Sequence, residues 1–424
     1  MTNPKFIEPV GNEKGGWWKE EEGRSKAYAR RIATAWEMFL QEEGLPVYEG
    51  IGVKDSRELP RSDWPRLGGK GTYIQLFGTA NTHGMFVVEV PPRGALLPQR
   101  HMYEERYMVL EGRGSTEVWK NGESAVSAFE WQPWSLFAIP LNANFRIINS
   151  SSSPALLLGM NTAPRIINVF QNQNFVFNCD FNFDDRFGGN LEDYWRPRDE
   201  LEHHPAYGRA MVESNLIPDV VSSYLPLDQN RGPGHRWVSP YQAKNTTLQG
   251  WIAEYPSGRY AKAHAHGAGA VLLCITGKGY SITWPSKEGG VTPWEDGKGH
   301  LVRMQEYGPG GLVSAAPGPS DWYHQHFAYG KDPWRIMRAT GGIMGNPGFE
   351  GGARDLSKPG DLIAIHRELG DKEGGFASNT IPYHMEDPQV RRYFEEKLKA
   401  EGAEMTMPPE VYTAAGARIQ VMED

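Results

Sequence analysis

The chain is poor in cysteine: Cys179 and Cys274 are its only two, set in unrelated contexts. A disulfide-stapled scaffold is therefore excluded. No apolar run approaches the ~18 residues of a membrane-spanning helix. A basic excess is missing as well, since 44 Lys+Arg against 52 Asp+Glu leave a formal charge of −8. That is the reverse of the basic footprint of a nucleic-acid binder. The opening residues, MTNPKFIEPVGNEKGGWW, contain no apolar core of a secretory leader. Together these absences lead to the expectation of reduced thiols in a cytoplasmic protein with no nucleic-acid or membrane partner.

Glycine (49), proline (31) and aromatics (12%) are plentiful, which favours many short strands and turns over long helices. At 424 residues, two domains or one double domain are expected. The chain also repeats itself. MVLEGRGSTEVW (Met108 to Trp119) resembles CITGKGYSITW (Cys274 to Trp284), and His101, Gly112, Gly114 and Trp119 recur as His266, Gly277, Gly279 and Trp284 at an offset of 165. Four positions in register predict an internal duplication. Apolar and polar residues alternate on both sides of each Gly-x-Gly, predicting a hairpin in an antiparallel sheet.

The expected organisation runs as follows. A helical or extended segment occupies 1–69, with a helix over about Gly23 to Glu43 whose stripe holds Ile32, Trp36, Phe39 and Leu40. A first β domain covers 70–165, an ordered, aromatic-rich connector 166–235, and a second β domain 236–347. The C-terminal extension, 348–424, contains a helix begun by Asp387 and Pro388, with Val390, Tyr393, Phe394 and Leu398 on one face.

His264 and His266 are spaced as two metal ligands on one face of a strand, because side chains alternate with period two. With His-x-His on a duplicated, glycine-punctuated frame, the chain resembles a bicupin, which implies a mainly β fold of two jelly-roll barrels with helical ends. The first cupin motif is His-x-His, three or four residues, Glu, six residues, Gly. In the second copy His264, His266 and Gly277 match it, and Ala270 stands where the Glu would be. The second motif is Pro-x-Gly, two residues, His, three residues, Asn. Pro319 and His324 match, while Asp321 and Ala328 depart. In the first copy Gln99 and Phe145 replace two histidines, with His101, Glu105, Gly112, Pro140 and Asn149 kept. That copy is expected to be metal-free and to serve as scaffold.

The resemblance implies His264, His266 and His324 as metal ligands. A three-histidine cupin site without the acid resembles the gentisate, salicylate and cysteine dioxygenases, which use Fe(II). It implies a mononuclear non-haem dioxygenase that cleaves a C–C bond of a chelating, hydroxylated aromatic acid-type substrate. Small-molecule substrate and dioxygen are the partners implied, in a homo-oligomer. Gentisate-type bicupins carry iron in the first cupin, whereas here the full histidine set is in the second. The alternatives are a lyase, isomerase or hydrolase using Mn, Ni or Zn without redox, or a ligand-binding or storage bicupin like the seed globulins.

Further residues are weighed from parity. His326 shares a face with His324 and is read as a catalytic base behind the ligands, with a fourth ligand or a surface residue as alternatives. Lys262 shares the face of His264 and either holds an anionic substrate group or snorkels to water. Arg259, Arg335 and Arg338 are weaker anion-holding candidates. His203 and His204 read as surface or interface residues, and Cys274 as a buried, inert thiol.

Overall fold

The computed structural model describes residues 6–7, 31–79, 82–188, 191–203, 210–229, 231–242, 248, 250–266, 269–318, 322–340 and 380–413. The chain is mainly β, and two sandwiches of unequal sheets make up its body. In the first, the large sheet runs Leu216–Ile217, Leu136–Ile139, Glu105–Glu111, Ala155–Asn161, Gly84–Val90, Gly69–Leu76, Val47–Gly50. Facing it are Ser127–Trp131, Gly114–Trp119 and Asn144–Asn149. In the second, the large sheet runs Leu201–His203, Ala210–Glu213, Arg236–Tyr241, Ile252–Tyr255, Trp334–Thr340, Val271–Thr276, Leu312–Ser314, Gly52–Val53. Its small sheet runs Arg303–Tyr307, Gly279–Pro285, Trp322–Ala328, Ala263–His266, Thr380–Ile381.

The duplication is visible in this order. Strands 136–139, 105–111, 155–161 and 84–90 neighbour one another as 312–314, 271–276, 334–340 and 252–255 do. The small sheets correspond likewise. His264 pairs with His324 across the second small sheet, and an isolated bridge pairs Gln99 with Phe145 in the first.

The Gly-x-Gly segments are not hairpins. Glu105–Glu111 and Gly114–Trp119 lie in different sheets, as do Val271–Thr276 and Gly279–Pro285. Alternation predicts strands but not their partners. Gly112 and Gly277 adopt φ of 91° and 77°, the left-handed region that turns the chain from one sheet to the facing one. A Cβ on Gly114 would lie 1.9 Å from the Ile148 carbonyl oxygen, and one on Gly279 2.2 Å from the Trp334 ring.

The large sheets pack back to back. Met108, Leu110, Leu156 and Leu158 of the first meet Val271, Leu273, Leu312 and Met337 of the second. Alternate residues of the same strands, such as Tyr107 and Val109, or Leu272 and Cys274, fill the sandwich interiors. Each fully buried leucine-sized side chain contributes about 1.5–3 kcal/mol. Within 166–235, Val176, Phe187 and Trp195 join the first interior, and Val212, Ile217, Val220 and Leu225 the layer between the sheets.

The N-terminal helix is shorter than expected. It spans Ala35–Glu43, burying Trp36, Phe39 and Leu40, while Ile32 lies on strand Arg31–Ile32. A reciprocal cap explains the start: the Thr34 side chain accepts from Glu37 N, and the Glu37 carboxylate accepts from Thr34 N at 2.8 Å. The expected residues 23–30 lie outside the described residues. The C-terminal helix spans Pro388–Glu401, capped by Asp387, with Val390, Phe394 and Leu398 buried and Tyr393 partly so.

Candidate metal centre

Antiparallel pairing sets His264 opposite His324, and period two returns His266 to the same face. The three histidines offer donor nitrogens that all lie within 4.8 Å of one another. His324 Nε2 and His264 Nε2 are 2.9 Å apart. Metal–nitrogen bonds of about 2.1 Å at right angles place two nitrogens about 3 Å apart, so the pair is spaced for adjacent positions on one ion. The His324 Nδ1–H donates to the Trp322 carbonyl oxygen at 3.3 Å, which leaves Nε2 as the donor atom facing the centre. The donor set therefore fits a divalent cation.

Burial and charge keep the His264 and His324 rings neutral. Burial comes first for both His264 and His324 and pushes each well below the ordinary imidazole value. The Arg231 guanidinium and the neighbouring imidazoles push in the same direction. Neutral imidazole is the ligating form.

His326 lies outside the group of three whose donor atoms converge. Its Nδ1 is 2.7 Å from Ser281 Oγ, which is 3.0 Å from Tyr307 Oη, so it sits deeper in the barrel within a hydroxyl chain. Burial, then Arg231, takes it to about 3. Lys262 is brought down to about 8 by burial and by Arg231. Ala270 is buried, at 4% exposure, and precedes strand Val271–Thr276 with the inward parity of Leu272.

The weaker arginine candidates are engaged elsewhere. Arg335 pairs with Glu254 at 2.8 Å and donates to the carbonyls of Val220 and Ser223. Arg259 donates to Thr406 Oγ1 at 3.3 Å. Arg338 is buried where the sheets adjoin, close enough to Arg106 to lower its pKa. Cys274 is pushed up to about 12 by burial, and Trp334 Nε1 donates to its sulfur at 3.2 Å, so the thiol is inert. His203 lies on strand Leu201–His203. His204, Pro319 and Asp321 lie outside the described residues.

Sequence reasoning missed Arg231. It sits in the connector, outside both motifs, yet its charge acts on His264, His324, His326 and Lys262. Nothing in RGPGHRW marks it, because only the tertiary fold returns the connector to the barrel.

The equivalent place in the first barrel keeps a small cavity, whose lining includes Arg66, Gln99, His101, Tyr103, Glu105 and Tyr107. Gln99 accepts from Arg66 Nη1 at 3.1 Å and donates to the Arg66 carbonyl. The Arg66 guanidinium pairs with Glu43 and lies 5.3–5.5 Å from the Phe39, Trp64 and Phe177 ring centres. Phe145 is buried against His101. His101 stacks on Tyr103 with centroids 3.7 Å apart and lies 3.3 Å from Glu105. Burial would raise the Glu105 carboxyl, but His101 and the hydrogen bonds from Tyr107 and Asn161 outweigh it and hold it below the usual range.

No family model matches the chain. Nor does any curated protein match it. Among solved structures, oxalate decarboxylase of Bacillus subtilis is similar at 12% identity and a TM-score of 0.42, covering 68% of this chain and 76% of that one in a single-site tryptophan variant. A structure of the same enzyme described for its Mn(II) centres is similar at 12% identity and a TM-score of 0.42, over 70% and 79% of the two chains. At this level of likeness nothing of that enzyme's chemistry is carried over.

Proposed function

We propose that the second barrel is a metal-dependent catalytic centre acting on a small, anionic substrate that chelates the ion. His264, His266 and His324 would hold the metal. The observation that carries the reading is three convergent imidazoles, those of His264 and His324 held neutral by burial, with no carboxylate in their group among the described residues. Such a set keeps the ion's full charge and leaves coordination positions for substrate oxygens.

The chain's own residues would do the rest. Arg231 puts positive charge beside the histidines, and Lys262 lies close to Arg231, so the two would favour a substrate carboxylate. His326, neutral and tied to Ser281, would accept or return a proton at Nε2, with Tyr307 extending the chain of hydroxyls. Leu272, Val313 and Trp334 wall the interior with apolar surface that excludes water.

The finer reading is Fe(II)-dependent dioxygenase chemistry on a hydroxylated acid, because the site lacks the acid that would neutralise the ion. Bound iron would supply redox capacity toward dioxygen. The second reading is a non-redox lyase with Mn(II). The same lysine- and arginine-flanked site suits it, since a bound dicarboxylate needs charge neutralisation in either chemistry.

Anaerobic loading with Fe(II) or Mn(II) tests both readings. Oxygen uptake with a panel of hydroxylated aromatic acids is expected of the iron form. Carbon dioxide release from dicarboxylates by the manganese form, without net oxygen uptake, would select the second reading. No stoichiometric metal in either form would overturn both.

A further inference from the structure

Strand Ala263–His266, which carries two of the three histidines, is covered by residues from the far end of the chain. Thr380–Ile381 pairs with it antiparallel, Ile381 opposite Ala263 and Thr380 opposite His264. This short strand is the outermost of the small sheet, so without it the histidine strand would be an open edge. The segment then crosses the face of the sheet that points away from the histidines. Tyr383, Phe394 and Leu398 pack there with Tyr280, Ile282 and Phe327.

A carboxylate is buried in this contact. Glu386 accepts from Tyr260 Oη and, at 3.1 Å, from Gln325 Nε2, both on the barrel side. Tyr260 Oη is 3.0 Å from Tyr412 Oη, and Tyr383 Oη donates to the Tyr260 carbonyl at 2.7 Å. The titratable and charged groups that act on Glu386 or feel its charge are Tyr260 and Tyr280 from the barrel, and Tyr383, Asp387, Arg391 and Tyr412 from the covering segment. Arg391 is the cation among them, but it is half exposed, pairs with Glu395 at 3.1 Å and lies 4.3 Å over the Tyr412 ring. The hydrogen bonds and this distant charge do not offset burial, which raises the carboxyl to about 7. A group raised by docking holds its proton more tightly docked than free. Docking is therefore firmest below the free value of about 4.5 and weakens as pH rises through about 7.

We propose that Thr380–Thr413 is a pH-responsive clasp on the histidine strand, closed while Glu386 carries its proton and loosened when Glu386 ionises. Loosening uncovers the Ala263–His266 backbone and speeds exchange of a metal held by His264 and His266. The effect on metal rests on the metal-centre reading; the clasp does not.

The test is hydrogen exchange of the full, metal-free chain at pH 5 and pH 8.5, corrected for the chemical rate at each pH. Protection of 263–266 and 380–381 is expected to fall roughly fifty- to a hundredfold between the two. It should stay below that of Glu105–Glu111 in the first barrel, which marks a local opening. Glu386→Gln, neutral at either pH, should show no fall. If that variant does not fold, Tyr412→Phe replaces it: losing the hydroxyl behind Tyr260 weakens the bond to the carboxylate, so the fall should move to higher pH. With Co(II) loaded, release into excess EDTA should be faster at pH 8.5 than at pH 6.5 in the wild type and equal at both in Glu386→Gln. Protonation of ligand histidines would give the opposite slope. Level protection in the wild type, an equal fall in Glu386→Gln, an unmoved fall in Tyr412→Phe, or protection matching that of Glu105–Glu111 would each overturn the clasp. A clasp that opens with pH in a chain that takes up no Co(II) would instead overturn the metal-centre reading.

Discussion

Ala270 carries the chemical argument at the scale of single residues. Its methyl group is buried, and the motif resemblance puts it where a fourth, anionic ligand would neutralise the ion. Ala270→Glu is expected to bind metal at least as tightly and to lose turnover, with substrate affinity hit hardest. Metal content and substrate titration together check this, and wild-type turnover would remove the link between the missing acid and the chemistry. His324→Ala should lose nearly all metal by elemental analysis, because its Nε2 is one of the two facing nitrogens. Arg231→Met should keep the metal but weaken substrate binding about ten- to a hundredfold, the equivalent of a lost charged hydrogen bond of about 1.5–3 kcal/mol. In the first barrel, His101→Ala removes one of three partners of the buried Glu105 carboxylate and should cost about 1–3 kcal/mol of stability while leaving metal content unchanged.

At the scale of elements, the strand Trp322–Ala328 has two distinct faces. His324 and His326 point into the barrel, while Gln325 donates to the Ala261 carbonyl at 2.9 Å and to Glu386 at 3.1 Å on the other side. Glu386 also accepts from Tyr260, and burial raises its carboxyl to about 7. A raised carboxyl makes the native state bind more protons than the unfolded one. Its contribution is therefore full below the unfolded value of about 4.5 and is lost as pH rises toward 7. The span is worth about 3 kcal/mol. The histidines act oppositely: neutral in the fold, they cost stability as pH falls below about 6.5. Comparing Glu386→Gln with wild type across pH 4.5–7 isolates the first slope, which the variant should lack. None of this network was legible in the sequence, because a lone Glu before Asp387-Pro388 has no periodicity to betray it. What was legible rested on local rules. The Asp387 cap and the apolar face through Val390, Phe394 and Leu398 were visible, as was the alternation of the strands. The Gly-x-Gly turns were read as hairpins because pairing partners are set by long-range contacts that no short window contains. Thr34 and Glu37 did hold the signal for the true helix start, and the longer apolar stripe through Ile32 obscured it.

At the scale of the whole molecule, the two barrels share strands. Gly52–Val53, from near the N-terminus, pairs with Leu312–Ser314 at the edge of the second large sheet. Leu216–Ile217, from the connector, pairs with Leu136–Ile139 at the edge of the first. Ser56 Oγ adds a bond of 2.7 Å to the Gly310 carbonyl. These loans cover edges that would otherwise recruit foreign strands. A fragment beginning at residue 236 is expected to be insoluble, although it contains all three histidines, and the intact chain to unfold in one calorimetric transition. Two resolved transitions would show the barrels to be independent. The loans also bear on ancestry. A copy that has replaced two of its ligands would ordinarily be free to drift or be deleted. Here its loss would bare the back of the other copy's large sheet, where Val271, Leu273, Leu312 and Met337 lie against it, so each copy is tied to the other by the layer they bury together.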